Sequence, residues 1–207
     1  MAEMKEIIKQ NNEKINKLES EKGNTSVQID KQNITNNIID KQNIQINNNI
    51  NNVKLLAFGK EDMTHLVDDV YKKILNRGFK SVLTLVEHVH FNKNKPENHN
   101  VYISNIQTNY ALVYDGNDWK LMERDGVLQQ LVDDKSEILS DKFDELLVKL
   151  DEPTIRKFQR FLDQKDEDGV ISGIKNDLKL MLYNNKKIPE KTRELLNGSK
   201  TKSITVD

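Results

Sequence analysis

The chain has 207 residues, of which 36% are hydrophobic and 31% charged, with a formal net charge of −1 and no cysteine. That composition is lean in apolar residues for a chain that is globular throughout, so part of it is not expected to build core. The missing cysteines exclude disulfides and thiolate metal sites, and near-neutral charge excludes a global electrostatic pull on nucleic acid. No apolar run approaches the length that spans a bilayer, and the first residues lack the apolar stretch of a signal peptide. No membrane association is therefore expected.

Residues 1–23 read as a short helix. Met4, Ile8, Asn11, Ile15 and Leu18 are spaced 4, 3, 4, 3, the seam of a heptad coiled coil. Asn11 stands in that seam, where a buried polar residue fixes register and oligomer state at some cost in stability. A helix this short is marginal alone, so the seam needs support from the residues C-terminal to it. Residues 24–53 are low in complexity. Ile29-Asp-Lys-Gln-Asn-Ile34 recurs ten residues later as Ile39-Asp-Lys-Gln-Asn-Ile44. Isoleucines five apart (Ile29, Ile34, Ile39, Ile44) suit neither a helical stripe nor a simple strand. The segment is either an unstructured linker or a β-rich stalk that buries Ile between chains while Asn side chains bond in ladders.

Residues 54–122 are expected to form a small α+β domain. Val53–Phe58 reads as a strand ended by Gly59, and Glu61 and Asp62 favour a helix start through the helix dipole. Leu66, Val70 and Ile74 then mark a helix ending near Gly78. A second helix over 80–90 carries Val82, Leu85, Val86 and Val89. Strands come next at Val101–Ile103, Tyr110–Tyr114 and Trp119–Leu121, with Asp115-Gly-Asn-Asp118 as hairpin turn. A three-stranded antiparallel sheet backed by two helices is the natural packing. Residues 123–198 read as helical. Leu128, Leu131, Leu139, Phe143, Leu146 and Leu150 form a stripe, and Pro153 opens a helix bearing Ile155, Phe158, Phe161 and Leu162. Val170, Ile174, Leu178, Met181 and Leu182 mark the next helix; Pro189 and Gly198 bracket the last. Residues 199–207 are expected to be a disordered tail.

Three of the four histidines fall in one stretch, His88-Val-His90-Phe-Asn92-Lys93-Asn-Lys95-Pro-Glu-Asn98-His99-Asn100. On a strand, His88 and His90 would share a side and His99 could complete a metal site; on a helix, which the neighbouring apolar spacing favours, the two face apart. No metal and no cofactor is therefore assigned, with His88, His90 and His99 as weak metal candidates. The run faintly resembles the HNH endonuclease motif. That resemblance would make His90 the base, Asn98 the orienting residue and His99 a ligand, but the loop leads into strands and no later histidine exists. Without catalysis, His90, Asn92, Lys93, Lys95, Asn98 and His99 could contact phosphates and bases, with Tyr102 and Trp119 stacking beside them. No catalytic residue is assigned: the chain carries no phosphate-binding glycine motif and no nucleophile elbow.

Ala57-Phe-Gly-Lys-Glu-Asp62, Gly78-Phe-Lys-Ser81, His90-Phe-Asn-Lys-Asn-Lys-Pro-Glu-Asn-His-Asn-Val-Tyr-Ile-Ser-Asn105 and Val113-Tyr-Asp-Gly-Asn-Asp-Trp119 form a motif string. It resembles a group of uncharacterised proteins of giant DNA viruses of the mimivirus type, over roughly residues 53–197. Such relatives often carry a zinc-finger-like segment ahead of an Asn-rich spacer, and a chain without cysteine cannot supply that finger. The resemblance implies a viral protein of the host cytoplasm (the viral factory) or the virion, and no activity. The expectation is an α+β, non-enzymatic, homo-oligomeric structural or interaction protein with a possible protein partner. The alternative is a nucleic-acid-binding protein, with a degenerate HNH-like nuclease as its sharper form.

Overall fold

A computed structural model describes residues 53–202, without the side chains of residues 198–202. The heptad seam at Met4, Ile8, Asn11, Ile15 and Leu18 and the isoleucines at 29, 34, 39 and 44 lie outside the described residues.

The first helix among the described residues, α1 (Asp68–Leu75), starts later than its sequence suggests. Glu61 and Asp62 do not open it, because their carboxylates are taken by backbone groups nearby. Glu61 Oε1 accepts from the Gly59 N–H at 2.8 Å and Asp62 Oδ1 from the Thr64 N–H at 2.9 Å. Local bonds of this kind compete with helix. Helix α1 instead begins at Asp68 and Asp69 and carries Lys72 and Lys73 in its last turn, a charge order that suits the dipole. Gly78, with φ +55°, makes the turn into α2; a Cβ there would be strained by that left-handed backbone and would lie a tight 3.2 Å from the Lys157 carbonyl oxygen, so glycine is favoured. Helix α2 (Ser81–His90) buries Val82, Leu85, Val86 and Val89 completely.

The expected strand over 53–58 is extended chain without a ladder. The Leu56 N–H donates to the Glu97 carbonyl (2.8 Å) and the Phe58 N–H to the Tyr114 carbonyl (2.9 Å). The two bonds go to different segments, so no continuous pairing forms. The sheet itself has three antiparallel strands in the order β1 (Val101–Tyr102), β2 (Tyr110–Tyr114), β3 (Trp119–Glu123), with Val101 opposite Val113 and Tyr114 opposite Trp119. Asp115 Oδ1 closes the hairpin by accepting from the Asn117 and Asp118 N–H groups, both at 2.8 Å, around Gly116 at φ +104°. Val101, Ala111 and Val113 turn into the core, while Tyr110 and Leu121 remain exposed.

Glu123 caps α3 (Arg124–Leu146), its carboxylate accepting from the Asp125 and Gly126 N–H groups. Asp151 caps α4 (Glu152–Gln164) and Pro153 occupies its first turn, where no N–H is needed. Helix α5 spans Asp168–Asn184. Helix α6 (Lys187–Lys202) runs through Gly198 instead of stopping there, so the expected tail begins with helix. One hydrophobic cluster joins both stretches: Val82, Val86 and Val113 share it with Leu131, Phe143, Phe158 and Leu178. The described chain is thus α+β, six helices with a small antiparallel sheet. None of these helices is long and apolar enough to cross a membrane.

Candidate functional site

Helix α2 separates the two histidines as helical spacing requires. His88 is exposed, its Nδ1 2.9 Å from the Thr84 carbonyl one turn back. His90 is completely buried. Its Nδ1 lies 2.9 Å from Asn100 Oδ1. The Asn100 amide nitrogen donates to the Leu56 carbonyl (3.2 Å) and to Glu61 Oε1 (3.0 Å), which fixes the amide orientation and leaves Oδ1 as acceptor. His90 Nδ1 therefore carries a proton. Its Nε2 is buried and has no partner.

Glu61 extends this network across the fold. Its side chain is 2% exposed, and Oε2 lies 3.1 Å from Lys135 Nζ on α3, whose side chain is 3% exposed. Burial opposes ionisation of Glu61, but the charge of protonated His90, the Lys135 ammonium, the Gly59 N–H and the Asn100 amide outweigh it and hold the carboxyl at about 2. Burial acts the other way on His90. With the Lys135 charge it outweighs Glu61, Asn100 and the Asn98 backbone, and lowers the imidazole to about 4. At neutral pH the cluster is therefore a neutral histidine beside one internal ion pair. The Phe58 ring, 6.0 Å from the imidazole, covers it.

The rest of the loop is equally occupied. Asn98, fully buried, accepts from the Asp62 N–H (2.9 Å) and donates to the Asp62 carbonyl (2.7 Å), copying a backbone pairing. Lys95 reaches Asp62 at 2.7 Å and Glu97 at 3.2 Å. Its amine is raised above the usual range by the bond to Asp62, which holds Asp62 well below that of a free carboxylate. His99, 3% exposed, touches Thr192 Oγ1 of α6 (2.8 Å) through Nδ1 and the Asn92 carbonyl (2.9 Å) through Nε2. Burial lowers its pKa; Nε2–H donates to the Asn92 carbonyl, and Nδ1 meets the Thr192 hydroxyl, which also lies 3.3 Å from the Ile188 carbonyl. Tyr102 is buried, its hydroxyl accepting from Arg193 (2.9 Å), and Arg193 stacks on Trp119 at 5.4 Å. Of the metal and nucleic-acid candidates drawn from the sequence, only Lys93 and His88 are exposed. His88, His90 and His99 do not converge, and no three acidic or histidine side chains among the described residues are placed to hold a metal.

Sequence reasoning missed Glu61, Asn100 and Lys135. Lys135 left a signal: it falls on the core stripe of α3, four residues from both Leu131 and Leu139. A lysine there must be met by a carboxylate or bear a large desolvation cost. The described chain is an α+β body with the Glu61–Lys135 ion pair in its interior. Comparison with protein-family models, curated proteins and solved structures finds no match.

Proposed function

We propose that the chain is a non-enzymatic, homo-oligomeric structural or interaction protein, assembled through its N-terminal heptad segment and of giant-virus origin. One observation carries the non-enzymatic part. The groups with the most chemical potential, His90, Glu61, Lys135 and His99, are turned inward and bonded to their neighbours, where a substrate cannot reach them. Their work is to fasten the 54–62 segment and α6 to the body. The oligomeric part rests on the 4, 3, 4, 3 seam and the Ile/Asn repeat in the sequence.

Light scattering on the full chain tests the assembly. The expected mass is a multiple of 24.1 kDa, falling toward 24.1 kDa in Ile8→Asp/Ile15→Asp. A parent chain that stays at 24.1 kDa at high concentration overturns the proposal. The nucleic-acid alternative leans on exposed Lys93, with Lys95 already held by Asp62 and Glu97. Salt-sensitive binding of a labelled DNA duplex, lost in Lys93→Ala, would favour that alternative instead.

A further inference from the structure

A groove of about 370 Å³ lies between α3 on one side and the α4–α5 turn with the start of α5 on the other. Its floor is apolar, made by Val132, Ile171 and Ile174. Its rim is acidic. Asp133, Glu137 and Asp141 stand four residues apart on one stripe of α3, with Asp166 opposite. The one lysine of the lining, Lys165, already pairs with Asp166 at 3.0 Å. Asp133 accepts from the neutral Gln129 amide, at 2.8 Å, so this bond leaves its charge uncompensated.

Acidic stripes on helices are common and most face only water. Here a second feature points inward. Ser136 lines the same groove, is 7% exposed, and its Oγ has no hydrogen-bond partner. A buried hydroxyl without a partner is costly, and a donor from a ligand in the groove would satisfy it.

We propose that this groove binds a linear polyamine. Four residues of α-helix advance about 6 Å, a step close to that between nitrogens joined by propyl or butyl links. Three ammonium groups in line can then each meet one carboxylate of the stripe. The methylenes between them lie on Val132, Ile171 and Ile174, and a central N–H reaches Ser136 Oγ. A chelated metal ion does not fit, because no three ligating side chains among the described residues converge. The inference goes beyond the oligomer reading and does not depend on it: light scattering reports the one, calorimetry the other.

The test is isothermal titration of the full chain with spermidine at low ionic strength. Saturable binding at one site per chain is expected. Glu137→Gln/Asp141→Asn should weaken it about tenfold, since it removes two charge-assisted contacts. Ser136→Val should weaken it several-fold. Glu87→Gln/Asp177→Asn, which neutralises two exposed acidic residues that do not line the groove, should leave it unchanged. Circular dichroism melts keep the comparison to folded variants; should Ser136→Val fail to fold, the surface pair decides alone. Absence of saturable binding overturns the proposal. So does equal weakening by the groove pair and the control pair, which would mean diffuse attraction. Binding of an oligolysine peptide without binding of spermidine also overturns it, and would assign the groove to a basic segment of a partner protein.

Discussion

Replacing Lys135 by methionine tests the internal ion pair directly. At 3.1 Å the two charges attract by about 5 kcal/mol at an effective dielectric of 20. Desolvation of both groups offsets most of that, so the pair as a whole adds little net stability. Removing one partner is different, because Glu61 then stays buried without its counter-charge, a change that costs about 3–5 kcal/mol. Glu61 keeps the Gly59 N–H and the Asn100 amide, which places the loss near the lower end, about 3 kcal/mol. The variant should also change its pH dependence. Without the ammonium the Glu61 carboxyl rises from about 2, so the deficit shrinks as pH falls and the carboxyl protonates. The second variant, Lys135→Met/Glu61→Gln, removes the stranded charge and should recover at least about 1 kcal/mol relative to additivity. Urea unfolding monitored through the single Trp119 gives midpoint and slope for parent, both single variants and the double. A Lys135→Met loss under about 0.5 kcal/mol, or strict additivity, would refute this account of the pair.

Acid should weaken the fold in two windows. The folded-state pKa of His90 is depressed to about 4 from 6.5, so its contribution is full above 6.5 and is lost as pH falls toward 4, about 2 kcal/mol by pH 5. His99, also lowered, adds in the same direction; Glu61 titrates between 4.5 and about 2. Urea midpoints that do not change between pH 7 and 5 would contradict this. Thr192→Val removes the hydroxyl that His99 holds and should cost about 1 kcal/mol, seen as faster amide exchange in α6; unchanged exchange there would dismiss the latch. Asp151→Ala deletes the cap on the Thr154 N–H (3.0 Å) and should lower stability by about 1 kcal/mol, checked by thermal denaturation.

Local chemistry in the chain determined several elements. Val82, Leu85, Val86 and Val89 placed α2. The alternation around Asp115-Gly116-Asn117-Asp118 placed β2 and β3. Pro153 after Asp151 placed the start of α4. In each case the deciding contacts lie within a few residues, which is the range over which periodicity and turn preference operate. The polar cluster answers to a different range. Glu61 meets Lys135 across 74 positions and His99 meets Thr192 across 93. The apolar spacing of 80–90 showed that His88 and His90 face apart, but not that His90 would be the buried one, since that depends on where Asn100 returns. The start of α1 lies at Asp68 for a local reason, since the Gly59 and Thr64 N–H groups take the Glu61 and Asp62 carboxylates, and the distant Lys135 holds the second Glu61 oxygen as well. Sequence therefore set the elements and which faces are apolar. The tertiary structure decided which polar groups are internal, because burying a charge is tolerable only where distant residues bring it a partner.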